Sequence, residues 1–188
     1  MFLTDSNLIP LLSKADADVQ GVRQPADWYS ADSPVQPASV DLSIVRIHLP
    51  GTDKEEPGGE LNPKTQHILK PGETAVIATQ EEFNLPGDVL GLGFPPSRVS
   101  FQGILMTNPW HIDPGYRGPL RFTIINMGSQ DYVVRKGDAI GSVLLFKLTA
   151  PAHAGWLQRH NGKPGGYPKQ DDINKPAGAQ RDPCPSPL

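Results

Sequence analysis

The sequence contains few of the residues that define several common classes of protein. Its single cysteine, Cys184, can form no disulfide within the chain and no cysteine-based zinc site. No apolar run approaches the roughly 18 residues that a membrane helix needs, and residues 1–10 lack the charged and apolar regions of a secretory signal. We therefore expect a cytoplasmic protein with no membrane partner and no structural metal.

Positive charge is not in excess either. The 188 residues include 17 basic and 20 acidic side chains, which are interspersed and give a net charge of -3. A protein that binds a nucleic-acid duplex usually presents a clustered positive face. We expect no such partner, whereas a small anionic ligand needs only a few local donors and is compatible with this composition.

Glycine and proline, in contrast, are abundant. The chain has 19 Gly and 21 Pro, about a fifth of its residues against an average of about 12%, and this much proline excludes a helical bundle. Pro-Gly pairs at 71–72, 86–87 and 114–115 and a Lys-Gly-Asp turn at 136–138 separate short apolar runs. That arrangement is typical of an all-β barrel or jelly roll.

The local patterns predict a short N-terminal helix over residues 1–13 and a loop over residues 15–36. Strands are predicted by alternation or β-branched content at residues 39–49, 66–69, 74–79, 120–126 and 139–148. Residues 1–148 would form one β domain. Residues 149–188 form a Gly/Pro-rich C-terminal arm that cannot build its own core and is either disordered or ordered over a ligand or a neighbouring subunit.

The densest group of chemically useful residues lies between residues 91 and 118. It contains Pro-Pro-Ser-Arg-Val-Ser at 95–100 and His-Ile-Asp-Pro-Gly-Tyr-Arg-Gly at 111–118. Asp113 before Pro-Gly either sets an Asx-type turn or supplies a carboxylate for acid–base chemistry. The histidines show no metal-ligand spacing, so we expect no metal site.

These motifs, in their order along the chain, resemble the superfamily of dCTP deaminases and dUTPases. The resemblance is carried by residues 113–118, by Asn126 and by Lys-Gly-Asp-Ala-Ile-Gly at 136–141, and it extends to Leu-Thr-Asp at 3–5 and Pro-Ala-Ser-Val-Asp-Leu at 37–42. It implies a distorted jelly roll, a dUTPase-like β-barrel. It also implies a homotrimer with deoxynucleotide sites at the subunit interfaces.

The resemblance also implies roles for individual residues. Asp113 would activate the attacking water. Tyr116 would pack on the sugar and exclude a 2′-hydroxyl, unless it only caps the core. Ser97, Arg98 and Ser100 occupy a segment that contacts phosphates, although Arg98 is also compatible with a plain surface arginine. The remaining nucleotide-binding candidates are Asn108, Arg117, Thr123 and, in the glycine-rich arm, Lys163 and Tyr167.

Three positions depart from the deaminase pattern. Pro96 and Phe101 stand where deaminases have arginines, so two expected cations are missing. Thr123 stands where deaminases have a glutamate that moves protons between water and the cytosine ring, and a threonine cannot do this near neutral pH. The His-x-Glu and Pro-Cys-x-x-Cys elements of zinc-dependent cytidine deaminases are absent as well.

Two functions of different kinds follow as hypotheses. The first is hydrolysis of a dNTP to dNMP and pyrophosphate, with Mg²⁺ on the substrate phosphates as cofactor. The second is a catalytically silent protein that senses or sequesters a nucleotide or related small molecule. Ordinary dCTP deamination is the third alternative.

Overall fold

The structure is a computed structural model that describes residues 1–12, 19–107 and 110–153, with the side chain of Trp110 left out. The predicted contacts Asn108, Lys163 and Tyr167 lie outside these residues. None of the described helices is long and apolar enough to cross a membrane. The elements are α1 (Asp5–Leu12), β1 (Val19–Gln20), β2 (Val40–His48), β3 (Gln66–Leu69), β4 (Thr74–Asn84), β5 (Val89–Phe94), α2 (Ser97–Ser100), β6 (Ile104–Met106), β7 (Trp110–Ile112), β8 (Arg117–Asn126), β9 (Tyr132–Arg135) and β10 (Ala139–Lys147).

The strands form one large antiparallel sheet and one small one, which confirms the predicted all-β fold. The large sheet has the order β6-β8-β4-β2-β10-β5-β7, with β1 added on β4, and β3 pairs with β9. Neighbouring strands in this order are distant in sequence, as they are in a jelly roll. The predicted N-terminal helix is also present.

Alternation along the strands divides the interior into two apolar clusters. In β2, Val40, Leu42 and Ile44 are buried between half-exposed neighbours, which is the period of a strand with one covered face. The first cluster gathers around α1 and the β5–β10 pair, and the second lies between β2, β4 and β8. Together they form the core on which the loops of the candidate site are mounted.

The structure corrects two local predictions near the N-terminus. The helix predicted within residues 1–13 is shorter and spans Asp5–Leu12, because residues 1–3 pair with β10, with Leu3 N donating to Leu145 O at 2.9 Å. Residues 15–36 were expected to be loop throughout, yet Val19 and Gln20 pair with β4. Two residues are too few to show the alternation by which strands are predicted, and β1 forms because it pairs with β4.

The strand predicted at residues 74–79 continues to Asn84 through an irregularity at Glu81. The Glu81 side chain is 1% exposed, and its carboxylate accepts hydrogen bonds from Ser43 N at 2.9 Å and Ser43 Oγ at 2.6 Å. Thr79 Oγ1 donates to Glu81 O and accepts from Leu120 N. These bonds join β2, β4 and β8 where the register shifts on both sides of β4. Burial raises the pKa of Glu81, and the bonds from Ser43 partly oppose this.

Candidate functional site

Residues 113–116 form a tight turn between β7 and β8. Tyr116 N donates to Asp113 O at 3.0 Å, and Gly115 has a φ of 79°. A glycine with positive φ at the third position is what a type II β-turn requires, and proline is common at its second position. Gly115 N and Tyr116 O also bond to the backbone at Pro86 and Leu85, so the turn is held against the end of β4.

The turn leaves the Asp113 carboxylate exposed. An Asx turn would use the Gly115 N–H, but that group donates to Pro86 O, 3.2 Å away. The carboxylate instead faces His111, with Nε2 and Oδ1 3.6 Å apart. Asp113 is therefore available to a small molecule, and the Asx alternative is not supported.

His111 is a member of the site that sequence reasoning missed. The sequence gives its histidines no metal-ligand spacing and assigns His111 no role, yet His111 lies on β7, two residues before Asp113. Side chains two apart on an extended segment project to the same side. A His-x-Asp pattern next to a predicted turn was the available signal.

Tyr116 has a partly structural role. Its ring is half-buried against the first apolar cluster, and its hydroxyl donates to Pro119 O at 2.7 Å. Burial raises the pKa of this phenol. Contact with the core was one of the two alternatives for Tyr116, and selection of deoxyribose remains a prediction.

Ser97, Arg98 and Ser100 form the short helix α2, and all three are exposed. Arg98 donates to the backbone oxygen of Ala139 at 2.5 Å, which ties it to the start of β10. Ser100 Oγ lies 3.5 Å from Pro96 O. The segment thus presents hydroxyls to solvent, while one guanidinium nitrogen is held by the chain itself.

The structure does not bring Arg98 and Asp113 together within one chain. Arg98 contacts Ala139, whereas Ile112, next to Asp113, is level with Gly91 and Leu145. Ala139 and Leu145 are six residues apart on β10, which at about 3.3 Å per residue is roughly 20 Å. The predicted phosphate contacts and the predicted base therefore lie at opposite ends of the same strands.

Thr123 and Arg117 lie on β8. Thr123 is half-buried directly opposite Val76 of β4, and its backbone oxygen accepts bonds from Thr107 N and Oγ1. Arg117 is exposed at the start of β8, opposite Asn84. The buried Glu81 cannot replace the missing deaminase glutamate, because both of its carboxylate oxygens are occupied by Ser43.

The fold and this turn define an all-β protein with an exposed carboxylate at a strand–turn–strand junction. The sequence model of the dCTP deaminase-like family matches residues 16–148. The chain belongs to this family, which confirms the resemblance.

Individual relatives agree with this assignment. The chain is 29% identical over 185 residues to a dUMP-forming dCTP deaminase of Mycobacterium ulcerans, covering 87% of this chain and 97% of that protein. It is 30% identical over 158 residues to one of Mycolicibacterium vanbaalenii, covering 76% and 83%. Among solved structures, a dCTP deaminase of Agrobacterium tumefaciens superposes with a TM-score of 0.61 at 21% identity. That match covers 84% of this chain and about half, 51%, of the other, and it supports the fold.

Proposed function

We propose that this protein binds a deoxynucleoside triphosphate and hydrolyses its α–β phosphoanhydride without deaminating the base. The observation that carries the proposal is the exposed Asp113 carboxylate, held at a fixed turn beside Tyr116 while Thr123 occupies the place of the deaminase glutamate. The site thus retains the water-activating group that the resemblance implies and has lost the group that serves deamination.

The reaction requires few groups from the protein. Asp113 accepts a proton from a water whose oxygen attacks the α-phosphorus, the bond from that phosphorus to the bridging oxygen breaks, and pyrophosphate leaves. Mg²⁺ would arrive on the substrate phosphates and neutralise the developing charge. In the described part of the chain no group of three or more His, Cys, Asp or Glu side chains could hold a metal ion, so the proposal gives Mg²⁺ no set of protein ligands.

The names of the relatives support this chemistry. Several are described as dUMP-forming dCTP deaminases. Forming dUMP from dCTP removes two phosphates as well as the amine, so cleavage of a phosphoanhydride lies within their named activity. We propose that this chain retains only that half.

Incubation with each dNTP and dUTP in the presence of Mg²⁺ tests the proposal. Monophosphate and pyrophosphate are the expected products. Release of a deaminated triphosphate, or unchanged substrate, would contradict it.

We further propose that the protein is a cytoplasmic homotrimer with its sites between subunits. The roughly 20 Å between Ala139 and Leu145 on β10 means that a nucleotide touching both Asp113 and the hydroxyls of α2 needs those groups from different copies. A second copy would supply α2 to the turn that bears Asp113.

Light scattering at micromolar concentration measures this directly. We expect a mass near three times the 20.3 kDa of the chain. A monomer would contradict both the assembly and the shared site. Mixing Ser97→Ala and Asp113→Asn subunits after mild dissociation should restore some activity that neither variant has alone.

A catalytically silent binder is the second candidate. It is favoured by the contact of Arg98 with Ala139 O and by Pro96 and Phe101, where the expected arginines are missing. Phe101 is 91% exposed and carries no charge. Measurable nucleotide binding with unchanged substrate in the incubation above would select this function.

A further expected result is that the protein releases no ammonia from dCTP. Deamination needs a group that gives and takes a proton near the working pH, and threonine has none. Thr123→Glu should restore little release of ammonia, because Pro96 and Phe101 stand where deaminases have arginines, and those two cations are still missing. Ammonia release by the unaltered protein at enzymatic rates would refute this interpretation of Thr123.

A further inference from the structure

The end of β7 places His111 and Asp113 on the outer face of the sheet. In the pairing of β7 with β5, His111 is opposite Leu92 and Ile112 is opposite Gly91. Ile112 is 1% exposed and belongs to the first apolar cluster. A Cβ at Gly91 would lie 2.8 Å from Ile112 Cδ1, so this glycine lets the two strands approach closely. Because Ile112 points inward, the side chains on either side of it, His111 and Asp113, project outward.

The turn after β7 fixes the backbone of Asp113 but not its carboxylate. The bonds of the turn run from Tyr116 N to Asp113 O and from Gly115 N to Pro86 O, so they use neither carboxylate oxygen. The Asp113 side chain is 59% exposed. A carboxylate that takes a proton from water has to present one oxygen at a fixed place. A base at this position therefore needs a neighbouring side chain that holds it.

His111 is placed to be that neighbour. Its Nε2 lies 3.6 Å from Asp113 Oδ1, slightly beyond a hydrogen bond, and catalytic contacts of this kind often tighten only when substrate binds. The imidazole shares its face of the sheet with Leu92, which is opposite it, and with Leu144, which is opposite Leu92. Both leucines are half-buried. The ring therefore has apolar neighbours on the sheet, and its contact with a carboxylate is stronger where these displace water.

We propose that His111 is a positioning residue for the hydrolysis. Its Nε2–H donates to Asp113 Oδ1 and turns the other carboxylate oxygen, Oδ2, towards the attacking water. The proton of that water passes to Oδ2, while the imidazole keeps its own proton and touches no phosphate. This inference rests on the proposed function, because it takes Asp113 to be the base.

A second histidine supplies a matched control. His67 Nε2 lies 3.8 Å from Glu73 Oε2, a contact of the same kind and nearly the same length. His67 lies on β3, which pairs with β9 in the small sheet and not with β5 or β7. Replacing His67 therefore breaks a histidine–carboxylate contact without changing the surroundings of Asp113.

Steady-state kinetics of dNTP hydrolysis tests the role of His111. His111→Leu should lower kcat by about 10- to 100-fold, the effect of a misplaced catalytic group, and leave KM within about threefold. His111→Gln should keep kcat within about threefold of the parent, because the glutamine amide can donate from nearly the position of Nε2. His67→Leu should leave both constants within about twofold. Equal losses of kcat in His111→Leu and His111→Gln, or no loss in either, would overturn the role as a donor.

The double variant of His111→Leu with Asp113→Asn separates positioning from an independent role. If His111 acts through Asp113, the double variant should hydrolyse dNTP within about twofold of the rate of Asp113→Asn alone. A further loss of about tenfold would mean that His111 contributes to the reaction by itself, and the positioning role would be wrong.

The contact can also be measured without turnover. In an NMR spectrum, the imidazole resonances of His111 should move in Asp113→Asn and stay in place in Asp131→Asn, which changes an exposed carboxylate between β8 and β9. Resonances that do not respond to Asp113→Asn would overturn the contact. If the unaltered protein hydrolyses no dNTP, the proposed function fails and takes the role of His111 with it. If the unaltered protein is active and His111→Leu is equally active, this inference alone fails.

Discussion

Asp113→Asn should slow dNTP hydrolysis by about 10²- to 10⁴-fold, the usual cost of losing a general base. The amide has nearly the shape of the carboxylate but cannot accept the proton of the attacking water. The turn does not depend on the charge, because its bonds run between backbone atoms of Asp113, Tyr116 and Pro86. Turnover of the triphosphate and urea unfolding, measured on the same preparation, check both halves of this expectation.

Asp131→Asn is the matched control. Asp131 is an exposed carboxylate between β8 and β9, so its loss changes the net charge equally without touching the turn. Its activity should equal that of the parent. If Asp113→Asn kept its rate within a factor of a few, Asp113 would be a turn residue only. If Asp113→Asn weakened nucleotide binding as much as it slowed hydrolysis, the role of Asp113 would be in binding rather than in proton transfer.

The fold was largely predictable because its signals are local and repeated. Alternation marked β2, the Pro-Gly pair at 114–115 marked the turn at the site, and residues 66–69 were predicted with the observed bounds. Each depends on the preference of a few consecutive residues for one backbone conformation. The order of such motifs also indicated the family.

The composition of the site was less predictable, because it depends on which strands become neighbours. Leu85 and Tyr116 are 31 positions apart, and Leu85 N donates to Tyr116 O only because β4 pairs with β8. The contact between Arg98 and Ala139 has the same origin. Only His111 on β7 and Asp113, the first residue after that strand, offered a local signal, because they are two residues apart in the sequence.

The second large effect concerns stability and the buried Glu81. Glu81→Ala should lower the free energy of unfolding by about 1–3 kcal/mol, because Ser43 N–H loses its acceptor at a part-buried position. Glu82→Ala, next to it on β4 but exposed, should change stability by no more than about 0.5 kcal/mol. Urea unfolding of both variants measures the difference, and equal effects would mean that the Ser43 contact contributes nothing.

Glu81→Gln isolates the charge from the hydrogen bonds. Its amide oxygen can accept from Ser43 N and its amide nitrogen can donate to Ser43 Oγ, so both contacts with β2 are kept.

Burial raises the pKa of Glu81 above its ordinary value of 4.5. Just above pH 4.5, Glu81 has therefore largely lost its proton in the unfolded chain but still holds it in the folded chain. The unfolded state then binds fewer protons, and the contribution of Glu81 to stability falls as the pH rises from 4.5 towards the raised pKa. Glutamine does not titrate, so the stability of Glu81→Gln relative to the parent should grow over this window. A difference that stays constant from about pH 5 to about pH 8 would mean that the folded pKa of Glu81 is not raised.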